Sequence, residues 1–484
     1  MTTIINSHRG GASLDGSGPF DREPAVPPGV DYAVARQVQD AVNAALDAHA
    51  QQHPDDGQDR AGQRQLAMHL IAEQIGELAR DTAAAGRPVL SDGQERALSQ
   101  AVLAAMFGLG RIEPLLADDE VEEIFISGAA PARLRYADGH TESATPVAES
   151  DEDLLDQLRS IATYHGQSER AVTSTRPFLD LRLPDGSRLA AVWAITPHPE
   201  VTIRRHRFTD VTMDDLVAMG MVSPAMAAFL AAAVAARRSL LMVGSPGAGK
   251  TTLLRGLAQC LPASERFATL ETEHELLLHE IPDRFPLIIP YEARPGTGEL
   301  DAAGHPAGQV SVADIFPTSL RHGLDRILVG EVRDAEVIPM LASMSRGYRG
   351  SMATFHADSA LDTFEALASL LGEHKPNWNH AAAMAQIATA LDLIVYVDVV
   401  VTPSGAKARF VSDVVEVGPV GENGQPAATA IFAPSDDRPD DPRGYPAHLP
   451  ENTSWCARAG LDLTWLTPAN GAWPTPFGSD GGLR

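Results

Sequence analysis

The residues with the clearest chemical meaning lie at 244–251, where Gly-Ser-Pro-Gly-Ala-Gly-Lys-Thr fits the phosphate-loop pattern G-x-x-x-x-G-K-[ST]. Glycines let such a loop approach phosphate oxygens, and the helix that follows directs its N–H groups at the anion. Lys250 offers a charge to the β- and γ-phosphates, and Thr251 offers a hydroxyl to Mg²⁺. The predicted nucleotide-binding residues are Gly244, Ser245, Pro246, Gly247, Ala248, Gly249, Lys250, Thr251 and Thr252.

The segments on either side of this loop favour the same interpretation. Residues 239–243 form a short apolar run that is typical of a buried parallel strand. Residues 252–261 carry apolar side chains at helical spacing. A chance glycine-rich turn would not require this strand–loop–helix order. The sequence therefore predicts that the chain binds ATP together with Mg²⁺.

Three later segments could complete a site for phosphoryl transfer. An apolar strand at 327–329 leads to Gly330 and Glu331, so Glu331 occupies the place of an acid near the metal or the attacking water. Glu271 lies in an acid-rich segment at 267–276, and a Gly/Ser segment at 347–357 contains His356. Each has a simpler alternative: a solvated strand end, a solvated acidic face or a structural histidine.

In their order along the chain, these four segments resemble the type II/type IV secretion ATPase superfamily. Within it, the sequence is most similar to the CpaF-like group, which powers tight-adherence pili. The matching segments are the Walker A loop, an acid-rich "Asp box" at 269–276, the Walker B motif Gly-Glu-Val-Arg and a "His box" at 347–357. The resemblance covers about residues 100–415. Two cysteines cannot build the four-cysteine module of some type II members, which favours the CpaF-like or type IV branch.

The resemblance implies roles for individual residues. Glu271 would be the general base or would orient water, Glu331 would hold metal and water together with Thr251, and His356 would sense the γ-phosphate. Arg204 and Arg205 could reach that phosphate from the preceding domain. Arg321 and Arg333 are candidates for contacts between domains or subunits. Thr272 replaces an Asp of the family pattern, and an uncharged hydroxyl cannot replace a carboxylate at a cation.

The resemblance also implies partners and a location. The chain would form a homohexamer that meets a membrane platform protein at the cytoplasmic face, without an anchor of its own. Apolar stretches of about 18 residues are missing; the nearest run, 219–236, reads as a packed helix that begins after Ser223 and Pro224. Cys260 and Cys456 predict neither a zinc site nor a disulfide framework, as expected in a reducing cytosol.

Composition and local pattern predict an α/β protein. A nucleotide domain, which the resemblance implies to be RecA-like, follows a smaller α/β domain and a helical region. The predicted divisions are a disordered tail at 1–28, helices within 29–107, the α/β domain at 108–209, the ATPase domain at 210–412 and a partly irregular extension at 413–484. Helices are predicted at 31–50, 63–85, 92–107 and 152–165, around a loop at 53–57. Strands are predicted at 121–127, 132–136, 201–205, 240–243, 286–289, 327–329 and 393–399, with a hairpin at 181–189 and a short strand pair near 409–432.

Two other functions are compatible with a phosphate loop. A nucleotide-gated scaffold with weak turnover is suggested by Thr272. A nucleic-acid motor is also compatible, but the net charge of −26 argues against nucleic acid as the main partner, since phosphate backbones bind clustered Lys and Arg. The tryptophans Trp455, Trp465 and Trp473 could attach the C-terminal extension to the body or mark a partner surface.

Overall fold

The computed structural model describes residues 30–52, 60–165, 172, 177–205, 210–294, 296, 307–375, 377–402 and 407–477. The tail predicted at 1–28 and the loop predicted at 53–57 lie outside these residues. The chain divides into two compact units. One comprises Met1–Tyr136 and Thr141–Arg207, and the other Ala137–His140 and Phe208–Arg484.

The first unit begins with three helices. They are α1 (Tyr32–Gln52), α2 (Arg60–Ala84) and α3 (Asp92–Phe107). Val42, Ile71 and Val102 are fully buried between them, because apolar residues recur on one face of each helix. Ser91 caps α3 through the amide of Gln94, whose side chain returns the bond to the amide of Ser91. The three helices agree with those predicted to within a few residues.

An antiparallel sheet follows in the same unit. Its elements are β1 (Val121–Ser127), β2 (Pro131–Tyr136), β3 (Thr141–Pro146), α4 (Asp151–His165), β4 (Phe178–Arg182), β5 (Arg188–Val192) and β6 (Glu200–Arg204). The described strands pair in the order β3-β2-β1-β6-β5-β4. Inward residues such as Ile124 and Ile203 are buried together with Leu154 and Leu158 of α4. The predicted hairpin at 181–189 is the β4–β5 pair.

The second unit is built on a large, mostly parallel sheet. Its helices are α5 (Met213–Ala218), α6 (Pro224–Ala235), α7 (Lys250–Ala258), α8 (Val312–Ser319), α9 (Val337–Ser345), α10 (Asp362–His374), α11 (His380–Ala390) and α12 (Ser454–Arg458). Its strands are β7 (Leu240–Val243), β8 (Phe267–Glu271), β9 (Ile289–Glu292), β10 (Arg326–Val332), β11 (Met352–Phe355), β12 (Leu393–Val401), β13 (Lys407–Val420), β14 (Pro426–Ala433) and β15 (Tyr445–Pro446).

The strand order in this sheet is β15-β14-β13-β12-β7-β11-β10-β8-β9. The run from β12 to β9 is parallel, and β13 to β15 continue it antiparallel. The strand β7 is buried on both faces: Leu240 and Met242 join one hydrophobic core, and Leu241 and Val243 join the other. This explains why its sequence is a continuous apolar run without alternation.

Local signals set the helix ends next to the sheet. Ser223 caps α6 by accepting the amide of Met226, and Pro224 occupies the first turn, as predicted. The strand predicted at 286–289 lies later, at Ile289–Glu292, because 286–288 form a turn before the chain pairs with β8. The helix predicted at 252–261 begins earlier, at Lys250, since the phosphate loop itself leads directly into it.

The C-terminal part extends the same sheet. The boundary predicted at 412 falls inside β13, a strand of 14 residues that pairs with β12 along the whole length of β12. Beyond β14 the described chain is mostly irregular, as expected. Trp455 and Trp473 are buried on the body, and the ring of Trp455 lies 5.4 Å from that of Phe229 in α6. Trp465 is 39% exposed.

Candidate functional site

The loop after β7 has a backbone shape that its glycines permit. A Cβ atom at Gly244 would lie 2.1 Å from the carbonyl oxygen of Val397 on the neighbouring strand β12. Gly249 has a φ of 103°, in the left-handed region that favours glycine, and it directly precedes α7. Side chains larger than hydrogen would therefore deform the loop at both positions. The loop lies at the carboxyl ends of β7, β11 and β12, where parallel sheets bind ligands.

The start of α7 can receive an anion. Its N-cap residue, Gly249, has no side chain that could accept hydrogen bonds from the amides of the first turn. These amides therefore face the loop. The dipole of the helix adds positive potential at the same place. Thr251 and Thr252 belong to this first turn and are half-buried. Together these groups form the kind of cradle that binds phosphate at helix N-termini.

Lys250 is buried inside the loop. Its Nζ donates hydrogen bonds to the carbonyl oxygens of Gly244 and Ser245, both at 2.9 Å. It also lies 3.1 Å from Nδ1 of His356, which directly follows β11. An ammonium group has only donors, so Nδ1 of His356 accepts, and the ring proton is then on Nε2.

His356 continues this chain of contacts to Glu331. Its Nε2 is in contact with one carboxylate oxygen of Glu331, and the guanidinium of Arg333 pairs with the other. Burial alone would raise the pKa of Glu331, but the hydrogen bonds from His356 and Arg333 outweigh it and lower that pKa to about 2. The bond to Glu331 also raises the pKa of Arg333. The structure thus joins Lys250, His356, Glu331 and Arg333 in one line, which we call the relay.

Glu271 ends β8, the strand beside β10. Its side chain is almost completely buried, and its Oε1 accepts the amides of Glu275 at 2.9 Å and of Leu276 at 2.7 Å. Its Oε2 lies 3.5 Å from Nδ1 of His274. A Cβ atom at Gly330 would come within 2.9 Å of the Cγ atom of Glu271. Glu271 therefore lies directly against the β10 residue that precedes Glu331.

Several predicted residues are found elsewhere. Arg204 and Arg205 belong to the first unit; Arg204 is exposed, and Arg205 bonds the Asp118 carbonyl and lies 3.0 Å from the Asp119 carboxylate. Arg321 is exposed in a short turn that precedes β10. That turn adjoins the amino end of β10, whereas the phosphate loop lies at the carboxyl ends of the strands. Thr272, where the family pattern has Asp, is exposed.

Other residues near the loop escaped the sequence analysis. Nε of Arg409, on β13, donates to the Gly247 carbonyl at 2.9 Å. Thr354 Oγ1 donates to the Gly330 carbonyl at 2.6 Å. Arg255, on α7, bonds the backbone that follows Glu271. Their partners are main-chain carbonyls, which carry no residue-specific signal. A charged residue within the apolar pattern of β13 or α7 is the sole hint in the sequence.

The residues around the loop fit a magnesium ion. Mg²⁺ prefers oxygen ligands, usually one or two side chains together with substrate phosphates and water. Thr251 offers a hydroxyl at the start of α7, and the low pKa of Glu331 keeps its carboxylate ionised at neutral pH. Among the described residues there is no cluster of three or more His, Cys, Asp or Glu side chains for an all-protein metal site. A metal shared with nucleotide phosphates fits this donor set.

The sheet order and the loop define a RecA-like α/β nucleotide-binding domain, preceded by a smaller α/β domain. The family model described as type II/IV secretion system protein matches residues 109–418. That match spans more than half of the 484 residues, and the chain therefore belongs to the type II/IV secretion system protein family.

The chain is also similar to individual proteins. "Putative conjugal transfer protein Rv3659c" of Mycobacterium tuberculosis is 30% identical over 322 residues, covering 64% of this chain and 85% of the relative. Type IV secretion system protein VirB11 of Brucella suis is 28% identical over 296 residues, covering 56% of this chain and 78% of the relative. The crystal structure of the Brucella suis VirB11 ATPase with sulphate matches at a TM-score of 0.33 and 23% identity, over 65% of this chain and 95% of that one.

Among the described residues, no helix is both long and apolar enough to pass through a bilayer.

Proposed function

We propose that this chain is a Mg²⁺-dependent ATPase that drives secretion or pilus assembly. The observation that carries the proposal is the relay, in which the phosphate-loop lysine is linked through His356 to the acid Glu331. In this site the loop amides and Lys250 would bind the triphosphate. When bound, Mg²⁺ supplies positive charge to the β- and γ-phosphate oxygens. Phosphoryl transfer otherwise requires mainly a positioned water and cations.

The acids would divide the remaining work. Glu271 would orient water or accept its proton through Oε2, because Oε1 is already bound to two backbone amides. Glu331 would hold the metal together with Thr251. His356 bonds both Lys250 and Glu331, so a change at the γ-phosphate that moves Lys250 would be passed to Glu331. In this way hydrolysis could be converted into a conformational signal.

The proposed assembly is a homohexamer with nucleotide sites between subunits, as the resemblance to secretion ATPases implies. Arg204, Arg205, Arg321 and Arg333 would contact neighbouring domains or subunits. The exposure of Arg321 supports a contact with a neighbouring subunit, since this residue lies near the amino end of β10, away from the phosphate loop of its own chain. We further propose that the ring acts at the cytoplasmic face of the membrane on a platform protein, with a CpaF-like tight-adherence pilus as the specific system. The names of relatives in conjugal transfer and type IV secretion support a motor of this general kind.

The test is ATP hydrolysis by the purified full chain with and without Mg²⁺. Lys250→Ala should lower kcat/KM on the order of 10³-fold, because the loop loses its phosphate-binding charge. Glu271→Gln should lower kcat about 10²- to 10⁴-fold, as expected for loss of a general base. Glu373→Gln, the same chemical change on the exposed face of α10, should leave both unchanged.

A second candidate function is a nucleotide-gated scaffold with weak turnover. It is favoured by the exposed Thr272 at the family's acid position and by the engagement of Glu271 with the backbone. Wild-type hydrolysis no faster than that of Lys250→Ala, with ATP binding retained, would select the scaffold. Light scattering with and without ATP would test the hexamer, and loss of surface pili on deletion of the chain would test the pilus assignment.

A further inference from the structure

The backbone after Glu271 is held from two sides. We call residues 272–277 the acid loop. Glu271 Oε1 accepts the amides of Glu275 and Leu276. Arg255, on α7, binds the carbonyls of the same two residues: its Nε donates to the Leu276 carbonyl at 3.1 Å, and its Nη2 donates to that of Glu275. One side chain therefore fixes the amides, and the other fixes the carbonyls.

Arg255 is suited to this task by its place and its chemistry. It follows Lys250 by five residues on the helix that the phosphate loop opens, and it is 3% exposed. A guanidinium presents several donors in a rigid fork, which defines the positions of two acceptors at once. Burial lowers the pKa of Arg255 to about 10, against the opposing charges of Glu271, Glu275 and Glu280, so the group remains charged at neutral pH.

We infer that Arg255 is a positioning residue that ties the phosphate-loop helix to the Glu271 carboxylate through the acid loop. This rests on the proposed function, in which Glu271 prepares the water. The bond between Glu271 and the acid loop fixes the carboxylate only as well as the acid loop is itself fixed. Arg255 anchors that loop to the helix that carries Lys250 and Thr251, and small misplacement at a reacting centre can cost about 100-fold in rate.

A purely structural role is the alternative, and the same unit offers a matched control. Arg326, on β10, is equally buried at 1% exposure and also binds backbone carbonyls, those of Val234 and Gly350, together with Glu265. These partners adjoin the amino ends of the strands, away from the loop. Arg326 therefore matches Arg255 in burial and in binding two backbone carbonyls, but it also pairs with a carboxylate and it holds a different part of the unit.

The first experiment measures ATP affinity, kcat and thermal stability of full-length Arg255→Met and Arg326→Met, assayed well below both melting transitions. Arg255→Met should lose about 10- to 100-fold in kcat while its ATP affinity changes less than about threefold. Arg326→Met should keep kcat within about twofold. Arg255→Lys, which keeps the charge but not the fork, should fall between wild type and Arg255→Met, and it supplies the same test should the methionine variant not fold.

A second experiment asks whether Arg255 acts through Glu271. Adding Arg255→Met to Glu271→Gln should slow hydrolysis less than about twofold beyond Glu271→Gln alone, because the group being positioned is already inactive. The inference would be overturned if the loss of rate in the double variant equalled the product of the two single losses. It would also be overturned if Arg255→Met and Arg326→Met had equal kcat. A wild-type chain whose hydrolysis is unchanged by Glu271→Gln would instead overturn the proposed function.

Discussion

In the large sheet, the charged side chains at the amino ends of the parallel strands differ in role from those at the carboxyl ends. At the amino ends of the strands, arginines meet fixed partners: the buried Arg326 pairs with Glu265, and the half-buried Arg238 pairs with Asp392 at 2.9 Å. At the carboxyl ends, the charges surround a glycine-rich loop and a helix N-terminus. There Lys250 is bonded to carbonyls of the loop itself, which a phosphate could replace.

This difference separates charges that hold the fold from charges that are ready for a ligand. A buried ion pair loses hydration on both partners, and it contributes little net stability unless further hydrogen bonds satisfy it. The ion pairs at the amino ends of the strands have such bonds: Asp392, for example, also accepts a hydrogen bond from the amide of Ser239. In the relay, by contrast, each link is a side chain that can change partner. Variants at the carboxyl ends of the strands should therefore lower activity, and variants at the amino ends should lower stability.

The largest effect is expected at Lys250. Lys250→Met keeps the length of the side chain and removes its charge, so kcat/KM should fall on the order of 10³-fold. Stability should change little, because two of the lost hydrogen bonds join Lys250 to its own loop, and the contact with His356 is a single further one. Steady-state hydrolysis and thermal unfolding of the same preparation provide the check. Substantial residual turnover would mean that the phosphate loop does not bind phosphate through this lysine.

The opposite pattern is expected at Arg326. Arg326→Ala removes the guanidinium that pairs with the half-buried Glu265 carboxylate and leaves that carboxylate only the more distant Arg237, which should cost about 3 kcal/mol of unfolding free energy. Hydrolysis at a temperature below the transition should remain near wild type. Urea unfolding monitored by tryptophan fluorescence measures the loss. A large fall in kcat in the folded variant would contradict the division of roles between the amino and carboxyl ends of the strands.

A smaller effect should distinguish the links of the relay. Gln can accept from Lys250 and donate to Glu331, as His356 does, whereas Leu can do neither. We therefore expect kcat to fall about 10- to 100-fold in His356→Leu and less than about fivefold in His356→Gln. Equal losses in both variants would show that hydrogen bonding through residue 356 is not what matters there.

The smallest effect concerns pH. The pKa of Glu331 is lowered from 4.5 to about 2 in the folded chain, so the stability it contributes is complete above about pH 4.5 and is lost as pH falls toward 2. The melting-temperature difference between wild type and Glu331→Gln should thus narrow between about pH 5 and pH 3.5. Glu365→Gln is the control, because the carboxylate of Glu365 is 58% exposed and its pairing with His380 is screened by solvent. A difference that widens on acidification would contradict the direction of the shift.

Much of the fold was predictable because its signals are local. The phosphate loop, the cap formed by Ser223 and Pro224, and the turn between β4 and β5 each depend on a few consecutive residues. The register of β9 and the length of β13 were less predictable. Both depend on pairing with strands that are distant in sequence, and the apolar pattern alone does not say where pairing starts.

For the site, residue types and spacing predicted the phosphate loop with Lys250 and acids at the strand ends, and the resemblance to secretion ATPases added the predicted roles of Glu271, Glu331 and His356. Only the tertiary structure decided who touches whom. The order β7-β11-β10-β8 brings the ends of these four strands side by side, so Lys250 meets His356 across 106 positions. Arg255 gained its place in the same way, through backbone carbonyls that every residue has and that only folding selects.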